Sequence, residues 1–308
     1  MKTALILRSN YPLIKPLIDL LYPPSCLCCR RLMTKEVALM FDKLKVDNLY
    51  RDTGVSSHYR KLLSMLQTSL LCNLCTLSLN NLIKFHNHLK NCDQCGRSLI
   101  SENSGIKLCL RCQTLSPYPS LRIRSLFTYR GVARLLTRKM KYEEKVEIAN
   151  LFFLVIITRL KELFSEDPFY THCTSPDTPY WNFITFVPSK KTNYIRRGFY
   201  STAYIFHLTR KYLGIPQISL LPEEEYSKPR SWSSIQDRLK GKVPCYKIEF
   251  DKKKRQPLYN SRILILDDVI TTGLSVCGTI STLEKYEPKS IDVLTLCQSR
   301  HFNRLYLR

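Results

Sequence analysis

Residues 262–275 read RILILDDVITTGLS. Four aliphatic side chains, Ile263 to Leu266, run directly into two carboxylates, and these run into a hydroxyl-rich loop that closes on a glycine. A strand that is apolar at every position has no face to give to water. It must be covered on both sides, as the central strands of parallel α/β sheets are. Such sheets take ligands outside the carboxyl ends of their strands. Asp267 and Asp268 stand at that end, and a helix is expected to open at Ser275. Backbone N–H groups of Thr271, Thr272 and Gly273, with the helix start behind them, form an anion cradle. Glycine allows the tight curvature that the cradle needs. Acids beside such a cradle suit one ligand that carries both a phosphate and a vicinal diol, because carboxylates accept hydrogen bonds from hydroxyls. They can also stabilise positive charge developing on a sugar ring. The plainer alternative is a strand–helix turn whose acids cap the helix.

The surrounding sequence fits the same architecture. "LRIRSLFTY" alternates as a half-buried strand does, and "GVARLLTRKMKYEEKVEIANLFFLVIITRLKELF" reads as helix, in one or two pieces. "WNFITFVP" is a strand stopped by Pro188, and "FYSTAYIFHLTRKYLGIP" is a helix closed by Gly214 and Pro216. "QISLL", "RILIL" and "SIDVLTLC" complete the strands, with a helix over "LSVCGTISTLEKYEP". Alternating strands and helices at this spacing predict right-handed parallel crossovers. At 308 residues the chain exceeds one typical domain. The composition changes at "TLSPYPS", residues 114–120, which predicts a module over 1–120 and an α/β domain over 121–308.

The first module is defined by cysteine. Eight of the thirteen cysteines form four CxxC pairs: Cys26/Cys29, Cys72/Cys75, Cys92/Cys95 and Cys109/Cys112. In a reducing compartment such knuckles hold zinc rather than disulfides. "CDQCGRSL…KLCLRC" separates its two knuckles by 13 residues, close to zinc-ribbon spacing. The first two pairs stand 42 residues apart, which makes a weaker second site. One or two zinc ions are expected, and spacing leaves the pairing of the knuckles open. Cys28 adjoins a knuckle and can replace Cys29 as a ligand.

Charge narrows the partners. The formal net charge is +23, with 16 basic against 7 acidic residues up to residue 120 and 32 against 18 beyond it. An excess spread this evenly points to a polyanionic partner or a phosphorylated ligand, or to biased composition. The longest apolar run, "IANLFFLVIIT", is too short to span a bilayer, so no stable membrane insertion is expected. Arg8, Pro12, Lys15 and Pro16 interrupt any secretory core at the start, and the cytoplasm is the expected location.

The 262–275 segment resembles the phosphoribosyl pyrophosphate (PRPP) signature of type I phosphoribosyltransferases. "VPSKKTNYIRRGFYSTAYIF" is similar to a segment of the ComF competence proteins, which join an N-terminal zinc module to a phosphoribosyltransferase domain. Pro188, Arg197, Gly198 and Phe199 carry that likeness. "MKYEEKVEIANLF" and "LYPPSCLCC" resemble further ComF segments in the same order. The resemblance implies a parallel sheet flanked by helices behind a zinc-ribbon-like module, Mg²⁺ arriving with PRPP, and a role in DNA uptake. On it, Asp267 and Asp268 would hold the ribose hydroxyls, with Thr271, Thr272, Gly273 and Ser275 on the 5′-phosphate. Lys190, Lys191 and Arg197 would take the pyrophosphate. Partners implied are PRPP, single-stranded DNA, and a competence helicase or other DNA-uptake proteins. The chain departs from the family at Tyr200 and Ser201, and around Arg238 it lacks the usual glutamine and asparagine, which leaves turnover open. Two other readings remain. One is a non-catalytic zinc-containing protein that binds single-stranded nucleic acid, with Tyr194, Phe199, Tyr200 and Tyr204 as stacking groups. The other is a nucleobase salvage transferase, for which a zinc module has no evident use.

Overall fold

The computed structural model describes residues 25–33, 70–83, 92–94, 96, 108, 121–164, 180–188, 201–222, 244–249, 258–271 and 273–299. The chain divides into two compact units, Met1–Asn81 and Leu82–Arg308. The boundary expected near residue 120 falls on a stretch outside the described residues.

In the first unit, a tight turn around Cys26 meets a short helix, α1 (Asn73–Asn80). Ser25 and Leu32 bridge across the turn, and Leu27 N–H donates to the Leu70 carbonyl at 3.0 Å. Arg30 sits in the left-handed region at φ 62°, unusual for a residue with a Cβ, and its N–H closes the turn on the Cys26 carbonyl. Leu71, Cys75 and Leu79 are buried beneath.

The second unit is built on a four-stranded parallel sheet in the order β1-β6-β5-β2. The strands are β1 (Leu121–Thr128), β2 (Phe183–Phe186), β5 (Arg262–Ile270) and β6 (Ser290–Gln298). A separate antiparallel pair joins β3 (Ser219–Pro222) to β4 (Tyr246–Glu249). The helices are α2 (Gly131–Tyr142), α3 (Val146–Phe164), α4 (Ser201–Leu213) and α5 (Leu274–Glu284). The long helical stretch predicted after residue 131 is therefore two helices. They break where Glu144 adopts φ 51°, a left-handed stop. β4 was not foreseen, because "CYKIEF" is flanked by polar sequence and gives only four strand residues.

The pleat sorts the core. Ile263 and Ile265 on β5, with Ile291 and Val293 on β6, pack in one cluster with Val276, Ile280 and Leu283 of α5. Leu264 and Leu266 alternate to the other face. β6 is buried at every position but Ser290. It nevertheless carries Asp292, fully buried at the amino end of the sheet. Arg122 of β1 grips that carboxylate with Nε at 2.7 Å and Nη2 at 2.8 Å, and the Trp181 indole donates to it at 2.8 Å. The guanidinium also lies 5.3 Å from the Phe164 ring centre.

Gly278 lets α5 approach the chain entering β4. A Cβ there would sit 2.1 Å from the Pro244 carbonyl oxygen, a backbone atom with little room to yield. Gly278→Ala is expected to destabilise the protein by about 1–3 kcal/mol, read as a lowered thermal midpoint in calorimetry.

Candidate active site and metal centre

The acid pair stands at the carboxyl end of β5, and the strand runs on beyond it. β5 continues three residues past Asp267 and stays paired with β6 through Asp267↔Thr295, Val269↔Cys297 and Ile270↔Gln298. The ladder to β2 ends earlier, at Phe186↔Leu266, with Val187 N–H still donating to the Leu266 carbonyl at 3.0 Å. β5 thus keeps its β6 partner beyond this point, while the described pairing with β2 stops one residue before the acids.

Adjacent residues of a strand turn to opposite faces, so the two carboxylates meet different surroundings. Asp268 continues the row of Leu264 and Leu266. Lys141, in the last turn of α2, places Nζ 2.7 Å from its Oδ1, with the two side chains 19% and 14% exposed. Thr202, in the first turn of α4, donates its hydroxyl to Oδ2 at 3.0 Å. Val269 N–H donates to Oδ1 at 2.6 Å. Asp267 turns its Oδ1 back to accept the Asp268 N–H at 2.8 Å. Both acids border a cavity of about 10 Å³ with Ile156, Thr202, Ile205, Leu266, Leu294 and Leu296. That is room for about one water and no sugar.

These contacts separate the two acids chemically. Desolvation and the Asp268 charge push Asp267 up to about 8, against a weaker pull from Lys141. Asp268 is desolvated too, but Lys141 and the Thr202 hydroxyl outweigh this and hold it below the usual carboxylate range. Near neutrality the mouth therefore contains one ammonium, one carboxylate and one neutral acid. Behind them, Cys297 is buried and its thiol is pushed up to about 12 by desolvation.

The loop after β5 has the expected shape. Gly273 adopts φ 78° and ψ −3°, left-handed geometry that favours glycine, and it is the N-cap of α5. It offers no side-chain acceptor to the first-turn N–H groups, which suits a helix start that receives an anion. Thr271 and Ser275 are half-buried on either side of it. The structure thus brings Asp267, Asp268, Thr271, Gly273 and Ser275 to one end of β5. Thr272, Lys190, Lys191 and Arg197 lie outside the described residues. Sequence reasoning gave Lys141 and Thr202 no role. The only available signal was a Lys-Tyr pair ending a helix, and nothing local marks that lysine as turned inward.

The cysteines resolve the pairing that spacing left open. Cys26, Cys29, Cys72 and Cys75 bring their Sγ atoms within 4.8 Å of one another, and Cys29 and Cys72 stand 3.7 Å apart. Tetrahedral zinc with Zn–S near 2.3 Å sets sulfurs about 3.8 Å apart, so this tetrad fits zinc. Cys29, not Cys28, completes it. The Arg31 backbone N–H lowers the Cys29 thiol to about 7, while desolvation raises Cys72 and Cys75. Of the other two knuckles, Cys92 lies in a turn closed by Gly96 N–H on the Cys92 carbonyl, with Gly96 at φ 64°. That turn docks on β1 through Ile123 N–H and the Gln94 carbonyl at 2.6 Å. Cys95, Cys109 and Cys112 lie outside the described residues.

Comparison with known proteins bears on the second unit. A family model described as a phosphoribosyl transferase domain matches residues 232–304, which contain β4, β5, the acid pair, α5 and β6. The α/β unit has the type I phosphoribosyltransferase fold. Solved structures give weaker likenesses. Adenine phosphoribosyltransferase from Leishmania tarentolae is 14% identical over 53% of this chain and 76% of its own, at a TM-score of 0.30. Purine phosphoribosyltransferase from Pyrococcus horikoshii is 16% identical over 52% and 85%, at 0.28. A hypothetical protein from Neisseria gonorrhoeae with bound ppGpp is 12% identical over 38% of this chain and 56% of its own, at 0.24. This chain thus spans little more than half the length of the Neisseria protein. TM-scores this low add nothing to the fold assignment, which rests on the family match and the parallel sheet. No curated protein matches the chain. Among the described residues no helix is long and apolar enough to cross a membrane.

Two outcomes follow. Asp267 keeps its proton in the folded protein where the unfolded chain has lost it, so its stabilising contribution is full below about pH 4. It is lost as pH rises through about 8. Relative to Asp267→Asn, the wild-type thermal midpoint is expected to fall progressively between pH 5 and 8. Zinc analysis of the purified chain is expected to find at least about one metal per chain, and Cys75→Ser to remove about one equivalent.

Proposed function

We propose that this protein binds PRPP with Mg²⁺ at the carboxyl end of β5 and is a phosphoribosyltransferase-like protein of the ComF type, acting in DNA uptake. One observation carries the reading: the acid pair and the left-handed Gly273 at the start of α5 lie five and six residues apart at the end of one buried parallel strand. Asp267 and Asp268 hold the ribose hydroxyls. Thr271, Thr272, Gly273 and Ser275 receive the 5′-phosphate, and Lys190, Lys191 and Arg197 receive the pyrophosphate. The small cavity behind the acids cannot seat the sugar, so the diol meets the carboxylates from their exposed side. Carboxylate oxygens are hard donors that suit Mg²⁺, which when bound on the pyrophosphate offsets its charge.

In turnover, the C1–pyrophosphate bond breaks as an acceptor nucleophile bonds to the anomeric carbon, and pyrophosphate leaves with the electron pair. Asp268, held ionised by Lys141, stabilises positive charge on the ring as that bond weakens. The ComF role, the single-stranded DNA partner and the DNA-uptake helicase rest on the sequence resemblance and the net charge of +23. The Cys26/Cys29/Cys72/Cys75 tetrad supports the zinc module that this family places first.

Calorimetric titration with Mg·PRPP is expected to show saturable binding by the wild-type protein, weakened about tenfold or more by Asp268→Ala, the loss of a charged hydrogen-bond acceptor. Heats indistinguishable from dilution for the wild type would reject the reading.

A further inference from the structure

Lys141 is the inward member of a basic helix end. α2 finishes with Lys139 and Lys141 in its last turn, where cations are favoured by the helix dipole whether or not they touch anything else. Arg134 and Arg138 of the same helix are exposed. Lys141 instead turns inward, and its ammonium reaches Asp268 at 2.7 Å. The helix is stopped just after it by Glu144 in the left-handed region at φ 51°. Thr202 approaches the same carboxylate from α4 on the other oxygen. One strand residue is thus gripped from two helices that are distant in sequence.

We propose that Lys141 is a positioning residue of this site: its ammonium clamps Asp268 against the start of α4 and cancels the negative charge of the mouth that an anionic sugar phosphate enters. The proposal deepens the PRPP reading and rests on it for the identity of the ligand. The groups that face Asp268 among the described residues are few. β5 itself brings Asp267, α2 brings Lys141, α4 brings the Thr202 hydroxyl, and β6 brings the Cys297 thiol. Tyr129 faces Lys141 from the end of β1, with Arg134 near it. Among the described residues, Lys141 is the cation in direct contact with Asp268. Without it, Asp268, 14% exposed, and the half-buried Asp267 would confront a phosphate with no compensating charge. With it, the mouth is neutral before the ligand arrives.

The test joins a measurement that needs no ligand to one that does. In ligand-free, zinc-loaded protein, the side-chain carboxyl carbons of Asp267 and Asp268 are titrated by NMR in wild type, Lys141→Met and Lys141→Arg. Lys141→Met is expected to move the Asp268 transition to higher pH, and Lys141→Arg to restore it. In parallel, the Kd for Mg·PRPP is expected to rise about ten- to a hundredfold in Lys141→Met and to recover in Lys141→Arg. A purely structural lysine would lower the thermal midpoint without moving the carboxyl titration. Thr202→Val, which cuts the other arm of the clamp without changing charge, gives a second route should Lys141→Met not fold: it is expected to shift the same transition less. An unmoved Asp268 transition in Lys141→Met, or in Thr202→Val should Lys141→Met not fold, overturns the proposal whatever the ligand. Absent Mg·PRPP binding in the wild type, alongside a shifted titration, overturns the ligand reading and leaves the clamp standing.

Discussion

β6 pairs in parallel with both β1 and β5 and is buried at eight of its nine positions. A sheet covered on both faces has no water to offer a charge, and an unpaired buried carboxylate would be strongly destabilising. Every acid in these strands is therefore a problem that the neighbouring elements must solve. Asp292 and Asp268 show two solutions. At the amino end, Asp292 is fully sealed. It receives a bidentate guanidinium and an indole N–H, a rigid set that leaves no face for a ligand. At the carboxyl end, Asp268 is held by a flexible ammonium and one hydroxyl, and part of it stays in contact with solvent. The first arrangement is built to stay shut. The second can exchange partners, as the proposed ligand site requires.

Much of this architecture was legible in the chain. The run Ile263–Leu266 required cover on both faces, and the structure supplies it with α5 on one side and α3 and α4 on the other. The left-handed Gly273 was readable as well, since a hydroxyl loop that turns tightly on a glycine asks for that geometry. The length of β5 was not legible. Whether a strand ends at its acids depends on how far its neighbour stays extended, and β6 carries the pairing to Gln298. Nor was the inward turn of Lys141. Asp268 and Lys141 are far apart in sequence, and only the packing of α2 decides which of its basic residues reaches the sheet. β4 escaped notice because four alternating residues between polar stretches give too short a period to read.

The cysteine module shows what spacing alone leaves out. The widely separated knuckles gave the weaker sequence signal, yet they come together as a tetrad among the described residues. Spacing along the chain measures how easily two knuckles meet by local folding. It does not measure how well they fit once met. Here the fit comes from the backbone: the Cys26 turn closed by Arg30 and the Cys72 carbonyl at the head of α1 present four sulfurs at nearly the distance a tetrahedral ion demands.

That tetrad has an evolutionary corollary. Cys29 and Cys72 bracket 42 residues of sequence, and the two ends of that span meet at the knuckles. The entropy of closing a span between fixed ends rises only slowly with its length, about 0.6 kcal/mol for each doubling. The tetrad therefore tolerates insertions and deletions between its two halves at little penalty to folding.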